Sequence, residues 1–225
     1  MLQNDTQPPV QWALLVAQLL ADLSAIPSQP DLTNPYAVDG TPGTAQRRAN
    51  LQLALTLAYE HGPTILLVGE APGYLGARRT GVPFTSERIL LAGVEPPGIF
   101  GAARGFARAT ADGKVSSEQT ATLVWRQASR HALFLVGWNA LPLHPHRPDN
   151  PQSNRPPRVH EIALGLPFLQ RIRDLFPNLP VVAMGNVAAH ALTRLHIPHQ
   201  KVRHPAQGGA RLFAEGISQV AATIA

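Results

Sequence analysis

Three short stretches carry side chains whose types and spacing go beyond what packing requires. In the first, Gly69, Glu70, Ala71, Pro72 and Gly73 follow directly on the β-branched and leucine run Thr64 to Val68, and the stretch continues through Tyr74 and Gly76 to Gly81, Val82, Pro83 and Phe84. Two glycines flanking a proline after a strand let the backbone turn sharply and approach a ligand. Glu70 offers a carboxylate at the sheet edge and Phe84 a flat apolar platform. The stretch lacks the lysine of a phosphate-binding loop and the glycine spacing of a dinucleotide fold. In the second stretch, Trp138, Asn139, Ala140, Leu141 and Pro142 lead into a proline-dense loop that ends in Ser153, Asn154, Arg155, Pro156 and Pro157. An asparagine amide presents a donor beside an acceptor, which matches the O4 and N3–H edge of uracil and mismatches cytosine. The third stretch is Arg203, His204, Pro205, Ala206, Gln207, Gly208 and Gly209. It sets an imidazole in a glycine-rich loop able to follow a phosphate strand or enter a groove.

Taken singly, each residue also has a plain structural role: a solvated glutamate in a turn, a loop-capping amide, one of nine histidines. Metal binding by His144 and His146 with His199 or His204 is disfavoured, since no spacing matches a helical metal motif. No metal and no cofactor is expected.

Positioning these groups requires strands that end where they begin. Thr64 to Val68, Ala132 to Val136 and Val181 to Met184 are short apolar runs, each halted by glycine, and they read as buried strands. Between and around them, Val10 to Leu23, Thr44 to His61, Ser117 to Ser129, Val159 to Phe176 and Val187 to Leu195 have helical patterning, while the proline-rich span 24–44 reads as an irregular crossing segment. Strands alternating with helices imply a parallel sheet with helices on both faces. In such sheets ligands bind at the carboxyl ends of strands. The loops after Val68 and Val136 and the segment around His204 are therefore the expected site.

Composition bounds the rest. A chain of 225 residues, 44% hydrophobic and 15% charged, suits one domain with one core. Its net charge of +5 is almost wholly carried by arginine, with Lys114 and Lys201 the only lysines, which favours phosphate contact without requiring it. With no cysteine, disulfides, thiolate nucleophiles and cysteine-ligated clusters are excluded. Met1 to Pro9 has no basic start and no apolar run approaches membrane-spanning length, so the expectation is a soluble, unprocessed, cytoplasmic protein with no membrane partner.

Together the segments resemble the signature motifs of the uracil-DNA glycosylase superfamily in type, order and spacing: GEAPG after the first strand, an Asn-bearing strand end before a loop with SNRPP, and a late HPA. The resemblance spans about Ile65 to Phe213 and is closest to bacterial GEAPG members related to family 4, although the four cysteines that hold an iron–sulfur cluster there are missing here. It implies a three-layer αβα sandwich around a mostly parallel four-stranded sheet, a single domain over residues 1–225 with the motif-bearing core at 64–213, a monomer, and DNA as partner. It further implies that Glu70 positions or activates water, that Ala71 and Phe84 contact the base, that Asn139 reads it, and that His204 bonds the departing uracil's O2. Gly73, Asn154, Arg155, Arg203, Gln207, Gly208 and Arg211 would hold DNA. One departure is Ala71, where the best-known members have the water-activating aspartate; another is Ala206, in place of the serine common after His-Pro. The expected activity is monofunctional base excision after flipping. A catalytically weak or inactive DNA-binding relative is the alternative, and a nucleotide hydrolase is disfavoured by the lack of a phosphate loop or metal carboxylates.

Overall fold

The computed structural model describes residues 8–224, so the first seven residues of the Met1 to Pro9 stretch lie outside the described residues. Helix α1 (Val10–Ala25) leads through strand β1 (Leu32–Thr33) to α2 (Thr44–His61), β2 (Ile65–Gly69), short α3 (Ala77–Thr80), α4 (Glu87–Ala92), a 3₁₀ turn at Ala102–Arg104, and α5 (Gln119–Arg130). Then come β3 (Leu135–Asn139), β4 (His144–Pro145), α6 (Val159–Leu175), β5 (Val181–Met184), α7 (Asn186–Arg194), β6 (Gln200–Val202) and α8 (Ala210–Ile224).

Strands β3, β2, β5 and β6 form, in that order, a four-stranded sheet in which every neighbour is parallel. The chain steps one way from β2 to β3 and the other way from β3 to β5. Right-handed crossovers then place the intervening helices on opposite faces, giving three layers. Helix α6 packs on β3 and α1, α7 on β5 and β2, and α8 on β6 and α5. All five residues of β2 and all four of β5 are buried, as strands covered on both faces must be. A ribbon of β1 and β4, pairing Leu32 with Pro145 and Thr33 with His144, ties the proline-rich crossing segment to the loop after β3.

Two strands differ from expectation. The second apolar run pairs from Leu135 and not from Ala132, because Ala132 adopts φ 50° as the chain leaves α5. As a result Asn139 is the last residue of β3, in register with Gly69. The fourth strand, β6, has only Val202 buried; at the sheet edge its polar residues leave no apolar run to read.

Close backbone approach shapes the loops. A side chain at Gly165 in α6 would overlap the carbonyl of Ala140, so this glycine lets α6 press directly on the chain that leaves β3. Helix α6 starts with Glu161, in its first turn, accepting the Arg158 N–H at 2.6 Å.

Candidate active site

Because the four strands run parallel, Gly69, Asn139, Met184 and Val202 end on one side of the sheet. A cavity of about 590 Å³ opens there. Its walls draw on the loop after β2, the end of β3, the proline-rich loop, the β5–α7 junction and the loop after β6.

Phe84 and Asn139 meet at Gly69. A Cβ on that glycine would stand 2.7 Å from Phe84 Cε1 and 2.8 Å from Asn139 Oδ1, and one on Gly137 would stand 2.9 Å from Phe84 Cδ2. The two glycines thus let the ring lie across the strand ends. Phe84 holds φ 55°, a left-handed conformation costly for an aromatic residue. The surroundings enforce it: Trp125 Nε1 donates to the Phe84 carbonyl at 2.9 Å, Thr80 Oγ1 donates to the Thr85 carbonyl at 2.8 Å, and Tyr36 donates to the Gly81 carbonyl at 2.9 Å. Asn139 is buried, lines the cavity, and its amide has no hydrogen-bond partner among the described residues. A buried amide left open toward a cavity is an unfilled donor–acceptor pair.

Glu70 follows Gly69, half-buried at the cavity wall. Its carbonyl accepts from Leu141 N at 3.0 Å, which fastens the two strand-end loops together, and burial pushes its carboxyl above the usual carboxylate range. Ala71 lines the same wall, its methyl against the core. His144, in β4, holds this loop from behind: its Nδ1–H donates to the Pro72 carbonyl at 2.6 Å. That ring is wholly buried with Nε2 unpartnered, and burial pushes its pKa down to about 4. Its neighbour His146 stacks on it at 5.4 Å and is taken up by Thr33 and the Arg147 carbonyl. Among the described residues no group of three or more His, Cys, Asp or Glu side chains is arranged to hold a metal.

His204 stands on the opposite wall. Its Nδ1 accepts the Ala206 N–H at 3.1 Å, which puts the ring proton on Nε2. Burial, helped by the Arg203 charge, holds its pKa below the usual histidine value. The imidazole is therefore a neutral donor facing the cavity. Gly209 is required in this loop, since a side chain there would overlap the His204 carbonyl, and Gln207 and Gly208 both turn at positive φ.

The residues assigned to DNA contact divide. Arg203 and Gln207 are exposed on the cavity rim, and Gly73 is on its wall. Gly208 lies in the same exposed turn. Asn154 accepts the Tyr74 N–H at 3.0 Å, bridging the first and second motifs. Arg211 projects from the first turn of α8, away from the cavity lining, and is paired with Glu215. Arg155 also lines the cavity, with its donors engaged inside the protein. All five of its N–H donors are spent inside the protein: on both oxygens of Glu161 at 2.6 and 2.8 Å, the Asp31 carbonyl at 2.9 Å, the His146 carbonyl at 3.0 Å and the Pro156 carbonyl at 3.1 Å. With its guanidinium saturated, it clamps the proline-rich loop to α6 and β1, with none left for phosphate.

Sequence reading missed three contributors. Gly185 and Asn186 line the cavity just after β5; the rule that ligands sit at strand ends would have found them. Glu118, immediately before α5, also lines it, and no motif marks it.

Among curated proteins none matches the chain by sequence. A crystal structure of wild-type Pedobacter heparinus SMUG2 superposes with a TM-score of 0.61 at 17% identity, over 94% of this chain and 96% of that one, which establishes the shared fold. The sequence profile of the Uracil DNA glycosylase superfamily matches residues 58–219, from the end of α2 into α8 and across all three motifs. The chain belongs to the uracil DNA glycosylase superfamily.

Proposed function

We propose that this protein is a monofunctional DNA glycosylase that hydrolyses the N-glycosidic bond of uracil, or a related deaminated base, after flipping it from DNA. The observation that carries the reading is the unpartnered, buried Asn139 amide beside the Phe84 ring. A flipped base stacked on Phe84 presents its edge to that amide, whose donor and acceptor fit uracil's O4 and N3–H.

Breaking the C1′–N1 bond leaves positive charge on the sugar and negative charge on the base. His204 Nε2–H donates to O2 and stabilises the departing anion; as a neutral donor it does so without a proton transfer. Glu70 supplies negative charge on the sugar side and accepts the proton of the water that adds to C1′. With Ala71 unable to hold water, this work falls to Glu70 alone. Arg203, Gln207 and the backbone from 205 to 209 hold the flanking phosphates.

The test is incubation of excess enzyme with oligonucleotides carrying U·G, U·A, single-stranded U or hypoxanthine, followed by alkaline cleavage of abasic sites. Strand breaks that disappear with Glu70→Ala or His204→Ala support the reading. Ala71 favours one alternative, a relative that binds damaged DNA without acting; tight binding with no breaks after prolonged incubation would establish it.

A further inference from the structure

Glu118 is the cap residue immediately before α5, yet its side chain does not serve that helix. Its side chain makes no capping bond to α5, although its carbonyl accepts from Thr122 N and Oγ1 at 3.0 and 2.9 Å. The carboxyl is turned instead against the loop after β2. There it occupies the space that side chains at Gly73 and Gly76 would fill: a Cβ on Gly73 would overlap Oε1 and one on Gly76 would overlap Oε2. Two glycines of the first motif region therefore make room for a carboxyl brought from another element. The carboxyl lines the same cavity as Phe84 and Asn139 and has no hydrogen-bond partner among the described residues.

A half-buried acid with no partner needs a reason, because an unpaired ionised carboxylate is costly in such a place. Burial alone pushes Glu118 up to about 7. The other charged or titratable groups on the cavity walls are Glu70 after β2, Arg155 in the proline-rich loop, and Arg203 and His204 after β6; none contributes to the shift. On α3, packed next to this loop, Arg79 is bound to Glu87 and Asp112 and Arg78 is half-buried. Glu118 thus titrates across neutrality, and its protonated form can donate a hydrogen bond, as buried carboxylic acids in apolar sites do.

We propose that Glu118 is a specificity-determining residue of the pocket, whose carboxylic acid donates a hydrogen bond to a carbonyl oxygen of the flipped base. This rests on the glycosylase reading only for its ligand, a base in DNA. Deamination replaces an exocyclic amine with a carbonyl, which accepts the acid's O–H, whereas the amine of the undeaminated base can use only the acid's weaker carbonyl acceptor. The ionised form reverses the preference, since a carboxylate repels a carbonyl and accepts from an amine. Together with Asn139, Glu118 makes discrimination between uracil and cytosine a function of pH.

The test is fluorescence anisotropy with single-stranded oligonucleotides containing 2′-fluoro-deoxyuridine or 2′-fluoro-deoxycytidine, which resist cleavage, from pH 6 to 8. Wild-type affinity for the uracil probe falls about tenfold over that range, and its preference over the cytosine probe falls with it. Glu118→Gln keeps a donor at all pH values, so its uracil preference is flat; Glu118→Ala is flat and weaker. Base release from a U·G duplex is followed in parallel. A wild-type profile without the alkaline fall, or a Glu118→Gln profile that retains it, overturns the inference, even where base release stands. The expected binding pattern with no base release by any protein leaves the inference in place and removes the glycosylase chemistry. Equal affinity for uracil-containing and unmodified DNA at every pH removes both.

Discussion

Replacing Arg155 with alanine leaves Glu161, 3% exposed, without the bidentate partner that neutralises it. Removing one member of such a pair costs about 3–5 kcal/mol, because the remaining charge stays buried and uncompensated. Arg158 retains two contacts to Glu161, its backbone N–H at 2.6 Å and its guanidinium at 3.3 Å, but that guanidinium is half-exposed and offsets little of the charge. Three carbonyls, of Asp31, His146 and Pro156, lose their donors as well, and the link between the proline-rich loop and β1 goes with them. For a chain of 225 residues, an unfolding entropy of about 0.47 kcal/mol/K converts that cost to a fall in Tm of about 6–11 °C. Differential scanning calorimetry measures it, and DNA affinity against salt concentration separates the two roles. A phosphate ligand would lower the salt slope by about 0.9 on removal. The reasoning fails if Arg155→Ala changes Tm by less than about 2 °C while the salt slope drops by about one. Arg211→Ala, on an exposed pair, should leave Tm within about 2 °C.

Other consequences follow from the same geometry. Phe84→Ala removes the platform at the strand ends and should weaken binding of a flipped base by about 1–3 kcal/mol, roughly 5- to 150-fold, as read by anisotropy with a non-cleavable analogue. Gly165→Ala forces α6 away from the Ala140 carbonyl; a loss of about 1–3 kcal/mol in urea denaturation is expected, with base binding weakened because Asn139 adjoins the displaced segment. His144 has a folded pKa of about 4, below the ordinary histidine value of about 6.5. Its stabilisation is therefore present above pH 6.5 and is lost as pH falls toward 4, by roughly 3 kcal/mol. His144→Gln should remove that acid-side decline from a plot of unfolding free energy against pH.

Legibility in the sequence tracked burial. Strands β2 and β5 are covered on both faces, so their apolar runs and terminal glycines were sufficient to place them. Strand β6 sits at an edge with only Val202 buried, and its short polar run carries no periodic signal. The start of β3 was misplaced by three residues because Leu133 and Phe134 are buried core residues before the strand begins. For the site, Glu70, Phe84, Asn139 and His204 stand in motifs attached to strand ends, and the fold brings all four to one cavity. Arg155 shows the converse. An arginine in a proline-rich loop looks like a phosphate ligand until the positions of Asp31 and Glu161, distant by 124 and 6 residues, are known. Glu118 was invisible because its significance lies in two glycines more than forty residues away in the chain, whose missing side chains it replaces.

The central claim is that this pocket removes a base, and the most direct measurement is mass spectrometric detection of free base released from a U·G duplex under single-turnover conditions. Free uracil appearing in step with abasic sites, abolished by His204→Ala and redirected away from uracil by Asn139→Asp, is the predicted result. A stable complex with uracil-containing DNA and no free base from the wild-type protein would contradict it.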